Sequence, residues 1–113
     1  MTEEEADRFI SELKQAYPNP ISERDRTPIS ERDRTPHSGK EYCVGGSFCR
    51  QTGTSQDGFP IAVKILFAIQ KLNPKLNIND NNVLAKVSTL IVLNDRHRNY
   101  EAAYACLREL LTA

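Results

Sequence analysis

The chain has no excess of charge of either sign: fifteen lysines and arginines face fifteen aspartates and glutamates, for a formal net charge of zero. Binding through nucleic-acid phosphates rests on basic residues, so nucleic acid is disfavoured as the main partner. No run of 18 apolar residues occurs, which excludes a membrane-spanning helix. The first residues, Met-Thr-Glu-Glu-Glu-Ala-Asp, are acidic where a secretory or transit segment is basic, and the expected location is the cytoplasm. Of cysteine there are three, Cys43, Cys49 and Cys106. An odd number argues against a disulfide framework, and no Cys-x-x-Cys pair marks a zinc or thioredoxin-like site. Neither metal nor cofactor is expected. There is no Gly-x-Gly-x-x-Gly, no Walker loop and no Gly-x-Ser-x-Gly, and only two imidazoles, His37 and His97, are available as bases.

What is present divides the 113 residues into an N-terminal amphipathic helix (1–17), a linker (18–41) and a helical core (42–113). Thr2 followed by Glu5 is a capping-box pattern, and Ala6, Phe9, Ile10, Leu13 and Tyr17 then fall on one helical face until Pro18 and Pro20 end it. The linker contains Ile-Ser-Glu-Arg-Asp-Arg-Thr-Pro twice without a mismatch, Ile21 to Pro36. Each copy is neutral and solvated, and its proline prevents a continuous helix. Such a composition buries too little apolar area to offset the entropy of ordering, so a flexible, disordered repeat linker is expected. A copied segment is tolerated there because lengthening a loop costs little. A second use is as paired proline-directed phosphorylation sites at Thr27-Pro28 and Thr35-Pro36, each beside an arginine.

From Tyr42 the pattern becomes helical. A short helix begins near Cys43 and gives way to a loop from Thr52 to Gly58. Pro60 leads a helix to Leu72 that is apolar on most sides and is expected to be central. A third helix runs from an Asn79 or Asp80 cap to about Leu93. Residues 94–99 read as a polar hinge, and Asn99 caps a last helix with Tyr100, Ala103, Tyr104, Leu107, Leu110 and Leu111 on its face. The fold class is all-α, a small helical domain of three to five helices. Its core is marginal alone, so the first helix or a second chain is expected to cover the Pro60-led helix, by self-association or with a protein partner. Tyr100, Tyr104 and Leu107 are the candidate binding face.

The candidate for chemistry is Cys43 at a helix start, where the dipole favours thiolate, with His97 or His37 as base and Asp95 or Asn94 as its orienting group. The competing reading makes Cys43 a small core residue. The motifs Tyr42-Cys43-Val44-Gly45-Gly46 and Asn94-Asp95, with a proline-led helix between them and Glu101-Ala102-Ala103 after, resemble those of small bacterial and phage helical domains of uncharacterised function. That resemblance implies a compact helical fold in which the aromatic-Cys-x-x-Gly turn and the Asn-Asp hinge meet, with Asp95 bonded to amides near Cys43. The function expected from the sequence is a non-enzymatic interaction or regulatory module. A cysteine-dependent enzyme or thiol switch is the alternative.

Overall fold

Thr2 starts the first helix by the expected reciprocal cap: its hydroxyl accepts the Glu5 amide at 3.1 Å, and the Glu5 carboxylate accepts the Thr2 amide at 3.1 Å. In the computed structural model, which describes residues 1–22, 42–54 and 58–113, this element is α1 (Glu3–Ala16). It is followed by α2 (Val44–Gln51), α3 (Ile61–Leu72), α4 (Asn81–Asp95) and α5 (Tyr100–Thr112). The described residues are all-helical apart from their connections. The expected flexible linker beyond Ser22, its two Thr-Pro sites and His37 lie outside the described residues.

Most of the helix ends have a local cause. Tyr17 ends α1 ahead of Pro18, and Asn73 ends α3 ahead of Pro74. α2 stops where Gly53 takes a left-handed φ of 71°. Asp80 and Asn99 cap α4 and α5, accepting from the amides of Asn82 and Ala102. Asn73 is buried and also serves the end of α5. Its carboxamide donates to the Leu110 carbonyl at 3.3 Å and the Ala113 carbonyl at 2.9 Å, satisfying groups that the helix itself cannot.

A single apolar cluster joins Ala6, Ile10 and Leu13 of α1 to Phe48 of α2, Ile65 and Ile69 of α3, Leu90 of α4 and Leu107 of α5. α5 and α2 each pack against all four other helices, whereas the Pro60-led α3 does not, and of the two α5 buries more residues. α5 buries Ala103, Tyr104, Cys106, Leu107, Leu110 and Leu111, a sector wide enough to serve several neighbours, whereas α3 fully buries only Ile65, Ala68 and Ile69. α1 covers α5 and α2 rather than α3, with Arg108–Asp7 and Lys14–Glu101 ion pairs along the α1–α5 seam. Phe59, Leu84 and Val92 remain exposed, and Phe59 meets Phe67 of α3 edge to face with ring centroids 6.0 Å apart.

The expected hinge at 94–99 begins later than the sequence indicates. α4 runs on to Asp95, so Asn94 and Asp95 occupy its last turn, and the connection to α5 is short, with Arg98 at a φ of 50°. The segment after α1 also departs from a solvated linker at its start: Ser22 is 0% exposed and belongs to the packed structure.

Candidate functional site: the Cys43 turn and the Asn94 clasp

Cys43 is the N-cap of α2, in extended conformation, and its Sγ accepts the Gly46 amide at 3.2 Å. A thiol here does the work usual for a serine or aspartate. Gly46 leaves room for this contact: a Cβ at that position would sit 3.2 Å from the same sulfur, a tight approach. Gly45 has a different role. A Cβ there would lie 2.6 Å from Ile65 Cδ1, so its missing side chain lets α2 approach α3 closely.

The last turn of α4 meets this turn through Asn94, which is 1% exposed. Its Oδ1 accepts the Val44 amide at 3.0 Å. Its Nδ2 donates to the Ile21 carbonyl at 3.1 Å and to Asp95 Oδ1 at 2.8 Å. Two further bonds complete a clasp: the Ile21 amide donates to the Tyr42 carbonyl at 3.2 Å, and the Ser22 hydroxyl donates to the Asp95 carbonyl at 2.7 Å. One hydrogen-bonded knot therefore ties Ile21 and Ser22 to Tyr42 and to the last turn of α4. The turn and the 94–95 segment do meet, but the bond to the turn comes from Asn94 and not from Asp95. The register of α4 explains it: Val83, Val87, Leu90 and Asn94 share the inward face, and Asp95 lies one step round the helix.

Beside the clasp lies a cleft of about 800 Å³ between α2, α3 and α4. Ile61, Ile65, Leu90 and Ile91 contribute apolar surface to it, and Arg50 and Lys64 contribute positive charge. Arg50 lies over the Tyr42 ring, 4.1 Å from its centroid, and Tyr17 meets Tyr42 edge to face at 5.8 Å. Cys43 and Cys49 both line the cleft. Burial pushes the Cys49 thiol up to about 11, the nearby charge of Lys64 opposing it.

Of the candidate catalytic residues, Cys43 and Asp95 reach this cleft, whereas His97 is exposed in the α4–α5 connection and is not part of the cleft wall. The described residues thus bring the candidate nucleophile and the candidate carboxylate to one place without the imidazole. Of the candidate binding residues, Tyr104 and Leu107 are buried in the core, and Tyr100 is half-buried. Lys14 covers the Tyr104 ring at 4.8 Å. The candidate binding face is thus corrected: the apolar sector of α5 packs inside the bundle, and the side it leaves to solvent carries Glu101, Ala105 and Glu109.

Sequence reasoning missed Asn94 as the bonding group, and it missed Arg50, Lys64 and Tyr17 as cleft residues. For Asn94 a signal existed, since the spacing from Val83, Val87 and Leu90 carries it to the buried face. None of the three cysteines is in a disulfide. Among the described residues no three His, Cys, Asp or Glu side chains gather to hold a metal ion, and no described helix is long and apolar enough to cross a membrane. No family model, no curated protein and no solved structure matches this chain.

Proposed function

We propose that the chain is a non-catalytic protein-interaction module that seats an acidic, aliphatic peptide segment in the cleft between α2, α3 and α4. One observation carries this reading: an apolar floor of Ile61, Ile65, Leu90 and Ile91 is flanked by Arg50 and Lys64, with Asp95 the one acid in the described wall. The cleft has the size of a ligand site, and its charge favours carboxylates over ammonium groups. Among the described residues Lys64 has no ion-pair partner. The test is an amide-shift titration with blocked Glu-Leu-Ile-Glu and, separately, blocked Lys-Leu-Ile-Lys. The glutamate peptide is expected to shift resonances of residues 44–54, Lys64 and Ile91, and Lys64→Glu to weaken it roughly tenfold. Equal binding of both peptides, or of neither, sinks the reading.

A second reading, a thiol switch at Cys43, is supported by the Gly46 amide directed at its sulfur, since such a bond favours the thiolate. Alkylation of each cysteine in the folded protein across pH 5 to 9, followed by mass spectrometry, separates the two. Fast reaction at Cys43 with an apparent pKa well below the ~8.5 of a free thiol favours the switch. Protection of Cys43 until the fold melts leaves it a cap. A Cys43→Ser variant is then expected to keep its stability to within about 1 kcal/mol, because serine is a good N-cap, whereas Cys43→Ala loses about 1 kcal/mol.

A further inference from the structure

The bonds of the clasp are made to the backbone of Ile21 and to the hydroxyl of Ser22, groups that any Ile-Ser pair offers. The duplicated octapeptide supplies a second such pair. The residues Pro-Ile-Ser-Glu-Arg-Asp-Arg-Thr-Pro read the same from Pro20 to Pro28 and from Pro28 to Pro36. We infer that Tyr42, Asn94 and Asp95 form a recognition site for a Pro-Ile-Ser segment, and that Pro28-Ile29-Ser30 exchanges with Pro20-Ile21-Ser22 as its occupant.

Only the clasp and the repeat are needed for this, whatever the cleft binds. The residues bonded in the clasp, the proline before them and the six residues after them are identical in the two registers, so the bonds on offer are the same. Proline brings a fixed φ and no amide hydrogen to satisfy, in both copies alike. What differs is where the spare octapeptide lies. With Ile21-Ser22 seated, it falls in the sequence between the clasp and Tyr42. With Ile29-Ser30 seated, it lies in the tether between Tyr17 and the clasp. Closure entropy depends on the logarithm of loop length, and moving eight residues from one loop to the other keeps the two registers within about tenfold of each other. A single copy of the octapeptide has no such second state. The exchange therefore gives the duplication a physical consequence: it lengthens or shortens the tether of α1 without changing what holds the clasp.

The experiment uses the full chain with Ser22→Leu, Ser30→Leu and both together. Ser22 is fully buried, so leucine there expels its own copy from the clasp. The readout is hydrogen exchange at the Val44 amide, which donates to the clasp residue Asn94. Ser30→Leu is expected to leave protection unchanged. Ser22→Leu is expected to lower it by no more than about tenfold, the span between the registers, because the second copy takes the seat. The double variant is expected to lose at least a further tenfold, and the added nonapeptide Pro-Ile-Ser-Glu-Arg-Asp-Arg-Thr-Pro to restore part of it. If the double variant does not fold while Ser22→Leu does, the conclusion is the same. The inference is overturned if Ser22→Leu alone matches the double variant, or if neither changes protection at Val44.

Discussion

The Oδ1 of Asn94 accepts the backbone amide of Val44 at 3.0 Å, joining the last turn of α4 to the first turn of α2. The same carboxamide donates to the Ile21 carbonyl, so one buried side chain fixes three separate stretches of chain. Removing it strands a buried donor and a carbonyl.

Asn94→Ala is accordingly expected to cost about 2–4 kcal/mol, since each stranded buried polar group costs roughly 1–3 kcal/mol. Asn94→Asp keeps an acceptor for Val44 but loses both donated bonds and sets a second carboxylate against that of Asp95. It is expected to be no better than alanine near neutral pH. Urea denaturation of the two variants checks this. A loss under about 0.5 kcal/mol for Asn94→Ala would mean that the clasp contributes little to the fold.

How far these features were legible follows from which of them are local. The Thr2–Glu5 cap, the Asp80 and Asn99 caps and the stop at Pro18 are written in neighbouring residues, and the helices begin and end within a few residues of those signals. The place of α3 was not legible from its composition. Its apolar residues outnumber those of a single stripe, yet centrality depends on which neighbours surround a helix, and that is settled by the packing of all five. Asn94 was misread because asparagine followed by aspartate is turn chemistry when taken locally, while burial holds the helix through both residues. The convergence of Tyr42 and Arg50, from α2 and its lead-in, with Lys64 of α3 joins two separate segments, and no spacing in the chain encodes how those segments pack.

Gly45 allows a test of the α2–α3 approach. Alanine at this helical position gains about 1 kcal/mol in intrinsic propensity. Its Cβ, however, would meet Ile65 Cδ1 at 2.6 Å, and Ile65 is fully buried. Overpacking of this kind costs roughly 1–3 kcal/mol, so Gly45→Ala is expected to be destabilising by about 1 kcal/mol net. Ile65→Val removes the offending methyl and costs about 1 kcal/mol alone. Combined with Gly45→Ala it is expected to cost less than the two separately, by about 1 kcal/mol in a double-mutant cycle. Simple additivity would show that the two helices do not press on each other at this point.

Three groups make the fold sensitive to alkali. Burial pushes the Cys49 thiol up to about 11, and burial likewise raises Cys106 and Tyr104. For Cys49 the unfolded chain gives up its proton near the ordinary value of 9.0, while the folded chain holds it to about 11. Its contribution is therefore fully present below pH 9 and is lost as pH rises towards 11. Unfolding free energy from urea titrations is expected to fall by roughly 1–3 kcal/mol across that window on account of Cys49 alone. Cys49→Ala is expected to flatten the fall while lowering stability at pH 8. An unchanged slope in that variant would assign the alkaline loss to other groups.

Ile21 and Tyr42 are hydrogen-bonded to each other, so the two ends of the chain segment between them are held together by described contacts. Deleting residues 29–36 removes one octapeptide and leaves Ile21, Ser22 and the clasp in place. Shortening the loop reduces its closure entropy by only about 0.5 kcal/mol. The deletion is thus expected to be neutral or slightly stabilising, raising Tm by a few degrees at most. A thermal melt of the two proteins decides it. A drop in Tm of more than about 5 °C would mean that the second copy contributes packing of its own. An unchanged or raised Tm would mean that it is dispensable for folding.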